Sequence, residues 1–535
     1  MRWVETLRRK VKEYMASSSF ASAAFWADKI VTATDGALED VYLLAKAYMS
    51  LQQYERAMHV LVKYDAVRQS PAARLIVGQC FTALDRGEEA LDVIGVDDEH
   101  LDELRVADAE VADFHPIADV RAQLALLRGK IFENQDNRIK AIRSYRAALN
   151  HDPFCAEALQ RLADHHLLKH SEETQLVASI LPVMQDKLAS EEEGDILTDI
   201  TDFLYSSLFE RYQEVPISDQ IPIKLLANPD IQVSRAAQLF NQGQFEESFT
   251  ITTKVLDNDK FNEACLPFHI ACQVELKEIN SLFYLAHQLV DNMPQKAVTW
   301  FAVGSYYFAT KFYEVARTYF SKATTKDVSF GPAWIGFAHA FAVEGEHDQA
   351  MAAYSNAVRI LSGSHLPLLY MGMEYAQTNN RPIAMRYYRQ AADIYDADPA
   401  IFHEMGVLHY HEGRHDDAIK CFNKARKLFR RLRLAPARLH STLVNLARVR
   451  LRLEEYEEAV QLYEEALSLV PDSGVAHAGL AFIYHLRDDF ERAIQYYHKA
   501  LALNPSDAFC EQMLAKALAE QVQDFDLPAP DAAPE

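Results

Sequence analysis

In this 535-residue chain the residues best suited to chemistry are its 20 histidines and its paired acids, and their spacing serves neither metal binding nor catalysis. His403, His409, His411 and His415 fall close together. Two metal ligands on one helix face need a separation of three or four residues. His409 and His411 are two apart and point to nearly opposite sides of a helix, while His415 falls at the predicted entrance to a following helix. The adjacent His165 and His166 fail the same test. Glu454 with Glu455, and Glu457 with Glu458, read as solvating charge on exposed helix positions. Phosphate loops of the GxxxxGK[ST] type, GxGxxG after a strand, GxSxG elbows and HExxH are all absent. The expectation is a chain with no catalytic site, no metal and no cofactor.

The elements that must carry these residues follow from a repeat. An anchor that opens the second helix of a helical hairpin falls at Ser248, Leu282, Ala316, Ala350, Ala384 and Ala418, every step being 34 residues. A fixed period means that each unit packs on its neighbour instead of closing a globular core. Leu446, Ala459, Tyr463, Ala466 and Pro471 recur at Leu480, Ala493, Tyr497, Ala500 and Pro505. His477, Leu480, Ala481 and Tyr484 take the i, i+3, i+4, i+7 spacing of one helix face. Small residues at Gly304, Ala338, Gly372, Gly406, Ala447 and Ala481 let two helices approach, with a bulky group one turn later beside them. Gly243, Gly345, Gly413, Asn379 and Asp488 mark the tight turn inside the hairpins, being residue types that tolerate a left-handed backbone.

These positions spell the tetratricopeptide pattern, so the expected fold is all-α, a superhelical solenoid of about 12 to 14 helix-turn-helix repeats. Ala23 and Ala57 are 34 apart, Ala90 follows, and Gly129, Phe132, Ala141, Tyr145, Ala148 and Pro153 spell a further unit. Leu7, Val11 and Tyr14 supply the first helix ahead of Ala23, which is preferred to a targeting peptide. Past Glu157 the pattern fades: acids such as Glu191 to Glu193 and the prolines Pro216 and Pro222 interrupt it. The predicted organisation is therefore an N-terminal array at 1–155, degenerate repeats at 156–228, a C-terminal superhelix at 229–507, a capping helix at 508–520 and a disordered acidic, proline-rich tail at 521–535.

One step breaks the register. Between Ala418 and Ala459 it is 41, which places seven extra residues near Arg430 to Ala437. The insertion is basic, with Arg426, Lys427, Arg430, Arg431, Arg433 and Arg438, in a chain whose formal net charge is -23. It reads either as a lengthened helix end with cations near its C-terminus or as a docking patch for an acidic neighbour.

The acidic balance argues against a nucleic-acid partner, which would need clustered Lys and Arg in excess. No apolar run reaches the length of a membrane-spanning helix. Six cysteines without a CxxC pair read as reduced, buried thiols, and the expected location is nucleus and cytoplasm. The first helix of each hairpin should line the inner surface. By offset it presents Phe301, Ser305 and Phe308; Ile335, His339 and Val343; Leu369, Met373 and Gln377; then His403, Val407, Tyr410 and His411. So apolar a lining calls for a guest, an extended peptide or a helix.

Several stretches exceed what the generic repeat demands. GPAWIGFAHAFAVEGEHDQAMAAY at 331–354 and SHLPLLYMGMEYAQTNN at 364–380 resemble the cell division cycle protein sixteen family, tetratricopeptide subunits of the anaphase-promoting complex, and CLPFHIACQVEL, YLAHQLVD, WFAVGSYY and SAAFWADK are similar too. The resemblance implies a scaffold subunit of a multi-subunit ubiquitin ligase of mitosis, without catalysis of its own. It also implies a homodimer through the N-terminal repeats, a small accessory subunit in the C-terminal groove, and other tetratricopeptide subunits on the outer faces. The alternative is a free-standing adaptor such as a co-chaperone or transport receptor. A clamp of that kind needs Lys and Arg on its concave side, and the stripe from Phe301 to Tyr410 has almost none.

Overall fold

The structure is a computed structural model, and it describes residues 2–96, 119–188, 194–210, 215–216, 221–222, 224–432 and 434–524. Among the described residues every regular element is helical. They fall into two compact units, Met1–Leu168 with Glu172–Leu208, and Lys169–Ser171 with Phe209–Glu535, a division inside the stretch expected to be degenerate.

The first unit holds the hairpins Arg2–Ala16 with Phe20–Ala33, Leu38–Ser50 with Tyr54–Lys63, Pro71–Ala83 with Gly87–Ile94, and Val120–Asn134 with Arg138–His151. Ala23, Ala57, Ala90 and Ala141 are fully buried where the second helices meet the first. A shorter helix, Ala156–Asp164, leads into the longer His170–Leu188, which carries Pro182, and then Gly194–Phe209 follows, its buried Tyr205 hydroxyl donating to the Pro153 carbonyl; the prolines Pro216 and Pro222 come after it.

The second unit is regular. Eight hairpins run from Pro229–Gln242 with Phe245–Asn258 to Gly474–Leu486 with Phe490–Leu503. All of the anchors are fully buried, Ser248 included; its hydroxyl donates to the Ala236 carbonyl at 2.8 Å. Under each small residue of the first helix sits a ring of the second. A Cβ at Gly372 would stand 2.3 Å from Tyr388, and one at Gly406 would stand 2.7 Å from Phe422. The rings fill the space that the missing side chains leave, which is the packing the period anticipates.

Positive φ is found at the five expected turn residues, Gly243, Gly345, Asn379, Gly413 and Asp488, and also at Lys277, Lys311 and Glu454, in the same register. Glu454 and Glu455 are therefore turn and cap, not exposed helix positions, and Arg450 pairs with Glu455 and with Glu458. The last helix runs from Ala508 to Asp524, four residues into the predicted tail, with Cys510 and Ala517 buried on the final hairpin and Glu520 2.7 Å from His485. The remaining tail, 525–535, lies outside the described residues.

Candidate functional site

The inner face of the second unit is built by the first helices of successive hairpins, and a side chain reaches it only at positions that the neighbouring first helices leave uncovered. Phe301, Ser305 and Leu369 do not reach it. Phe301 is 8% exposed and packs on Phe320 and Phe330, with ring centroids 5.9 and 5.6 Å apart. Leu369 is 4% exposed and Ser305 is 5% exposed, so all three belong to the core between hairpins. Phe308, Ile335, His339, Met373, His403, Val407 and Tyr410 are half-buried, while Val343, Gln377 and His411 are exposed.

Two side chains one residue further along, Tyr370 and Glu404, complete the lining. Tyr370 stacks on Tyr354 at 5.7 Å and meets the edge of His339 at 4.7 Å. Tyr354 Oη and His339 Nδ1 share a hydrogen bond of 2.6 Å. Burial depresses the His339 imidazole to about 4 and pushes the Tyr370 phenol up to about 12. These groups keep part of their surface accessible and are nonetheless enclosed enough for charge to be disfavoured, which is the property of a deep concave wall.

The next hairpins continue the wall. Burial holds His403 near 4; its Nδ1 lies 2.9 Å from the Thr442 hydroxyl and its Nε2 3.4 Å from the Asn445 amide. Burial alone lifts the Glu404 carboxyl to about 7, so near neutral pH it is in part uncharged. Arg452 Nε donates to Tyr410 Oη at 3.5 Å, and Arg448 donates to Asn445 Oδ1 at 3.4 Å. Cations therefore do stand at the far end of the wall, just beyond the stripe read from sequence.

The wall is narrow. The Tyr370 phenol lies within electrostatic reach of Glu275, three hairpins back, and of Arg438, two hairpins on. It offers aromatic and thioether surface, neutral imidazoles and a protonatable carboxyl, and among the described residues no group of three His, Cys, Asp or Glu is placed to hold a metal. Such a lining suits an extended peptide that presents apolar side chains and uncharged backbone amides.

Comparison with known proteins agrees in both halves. A family model described as anaphase-promoting complex, cyclosome, subunit 3 matches residues 16–96, and tetratricopeptide repeat models match 399–472 and 474–507. The human cell division cycle protein 16 homolog is 36% identical, over 97% of this chain and 85% of its own length. Anaphase-promoting complex subunit 6 of Arabidopsis thaliana is 35% identical, over 97% of each. Among solved structures, a chain of the APC/C hetero-tetramer Cut9-Hcn1 superposes with a TM-score of 0.76 at 30% identity, over 96% of both chains. Likeness of this extent, sustained along both units, is that of shared descent: the chain belongs to the family of cell division cycle protein 16, anaphase-promoting complex subunit 6 and Cut9.

Proposed function

We propose that the chain is a non-catalytic scaffold subunit of an anaphase-promoting complex, acting in nucleus and cytoplasm, and that its second unit captures a segment of a small accessory subunit in the concave groove. The observation that carries this is the likeness to Cut9 over 96% of this chain, in a solved structure that is an assembly with Hcn1. The groove supports it from physics: a wall of Tyr370, Met373, His339 and Val407 beside a carboxyl at about 7 is a costly surface to leave to water. The ligase chemistry belongs to other subunits, and this chain supplies position.

The first unit supplies the second half of the proposal, a homodimer. Trp3, Phe25 and Trp26 on its first hairpin are 51%, 57% and 37% exposed, large aromatics that solvent does not favour. A four-chain assembly of two named proteins also holds at least one of them more than once. Light scattering of the purified chain, alone and with Hcn1, tests both halves. The expected result is twice the chain mass alone, a larger mass with Hcn1, and a monomer for Phe25→Asp with Trp3→Asp that still binds Hcn1. A monomeric parent would refute the dimer, and a mass unchanged by Hcn1 would refute the groove.

A further inference from the structure

The break in register at Ala418 to Ala459 has a structural consequence. Its seven residues lengthen two helices: His415–Arg431 and Pro436–Arg452 have 17 residues each, where the corresponding helices of the next two, Tyr456–Leu469 and Gly474–Leu486, have 14 and 13. Three or four residues are about one extra turn, so this edge of the array projects by roughly 5 Å beyond its neighbours.

The projection reaches the first hairpin of the same unit. Ala435 N–H donates to the Gln242 carbonyl at 3.0 Å, and Arg438 Nη1 donates to the Asn241 carbonyl at 2.9 Å. The Arg438 guanidinium lies 5.8 Å from the Phe245 ring. Asn241 and Gln242 end the helix Pro229–Gln242, whose last carbonyls have no acceptor role inside the helix and carry its negative pole, so a cation there is favourable. The fit is close: at Gly243, with φ +84°, a Cβ would stand 3.0 Å from Arg438 Nε and 3.2 Å from the Ala435 Cβ. Only glycine suits both the backbone and the neighbour. In a repeat array, contacts normally join adjacent units alone, yet these join residues 197 apart in sequence.

We propose that Ala435 and Arg438 form a clasp that pins the first hairpin of the second unit to the seventh, and that the clasp governs how fast a peptide enters and leaves the groove between them. The inference rests on the groove reading given above. Arg438 acts electrostatically on Tyr370 and on Asp398, so the clasp flanks the wall that the peptide would occupy. Joined at both ends, the run of hairpins cannot open by adding small hinge motions between neighbours. Because the clasp holds the empty and the filled groove alike, losing it should change rates far more than affinity.

Two variants test this. Arg438→Ala removes the cation. Ala435→Pro removes one N–H at a residue whose φ of -51° proline already satisfies. Hydrogen exchange at the Ala435 amide reads the clasp without any ligand, and stopped-flow mixing with fluorescently labelled Hcn1 reads the groove. The expected result is a protected Ala435 amide in the parent that loses protection in Arg438→Ala. Association and dissociation rates should rise together by roughly fivefold or more in both variants, with Kd within about twofold of the parent. Arg431→Ala, at the exposed end of the helix His415–Arg431, should change nothing. An unprotected amide in the parent overturns the clasp, and unchanged rates after its removal overturn the gating. Should the parent fail to bind Hcn1 at all, the groove reading falls and the gating with it, while the exchange result still decides whether the two hairpins are pinned.

Discussion

Two tyrosines at the same point of the repeat, Tyr145 in the first unit and Tyr354 in the second, end on different partners. In the first unit Tyr145 donates to Glu133 at 2.6 Å, and Glu133 also meets Arg161 at 3.5 Å and His165 at 3.3 Å, so the phenol ends in a charged network that the unit completes by itself. In the second unit Tyr354 meets the neutral His339, and the Tyr388 hydroxyl, fully buried, has no hydrogen-bond partner among the described residues. Its nearest titratable influence is Glu404, itself lifted by burial. Buried polar groups are nearly always paired. The first unit ends this tyrosine in a charged network, whereas the second, at Tyr354, ends it on a neutral imidazole beside the concave wall.

The sharpest way to break that contrast is to charge the positions assigned to core and to groove. Leu369→Asp buries a carboxylate without a partner and should cost about 3–5 kcal/mol, whereas Gln377→Asp, exposed on the same helix, should cost within about 0.5 kcal/mol. Denaturant midpoints of the two variants check this, and equal losses would mean that Leu369 lines the groove after all. A smaller effect should separate the tyrosines themselves. Tyr145→Phe removes the phenol that donates to Glu133 and should cost about 1–3 kcal/mol, while Tyr388→Phe removes a hydroxyl with no partner among the described residues and should be neutral or mildly stabilising. Equal melting shifts would erase the distinction between the units.

Acidity gives a third contrast. An acid whose folded value lies above its ordinary 4.5 binds protons more tightly when folded, so stability is lost as pH rises from about 4.5 through about 7. Glu404→Gln should relieve this and stabilise the chain by about 1–2 kcal/mol at pH 8, after discounting for its partial exposure, and by nothing at pH 4. His339 and His403, held near 4 against an ordinary 6.5, act in the other direction: their contribution is lost as pH falls from about 6.5 to about 4. Chemical unfolding across that range reads both slopes, and a stability difference between Glu404→Gln and the parent that does not change with pH would contradict the buried placement of the carboxyl.

How legible the molecule was follows the same division. The period located the anchors from Ser248 to Ala418, and the rings beneath Gly304, Gly372 and Gly406, because spacing alone dictates close packing there. Left-handed residues at Lys277, Lys311 and Glu454 were not visible by type, since lysine and glutamate carry no preference for that conformation; register imposes it on them. The groove was legible only as a helix face. Tyr370 and Glu404 stand one residue beyond Leu369 and His403, about 100° further around the helix, and which edge of the stripe meets solvent is set by how adjacent hairpins tilt, information that no single repeat contains. The basic insertion, read as a helix end or a docking patch, lengthens both flanking helices and binds the first hairpin of its own unit through Arg438, while Arg426 and Arg430 pair with Glu465.

The central proposal is that the concave wall of the second unit, and not its outer face, receives the partner segment. Titration of Hcn1 into the 535-residue chain carrying Tyr370→Asp, set beside Tyr284→Asp on a side chain 67% exposed, tests it most directly. The account predicts that Tyr370→Asp abolishes binding with helicity and mass intact, and that Tyr284→Asp binds as the parent does. Parent-like binding by Tyr370→Asp, or loss confined to Tyr284→Asp, would contradict it.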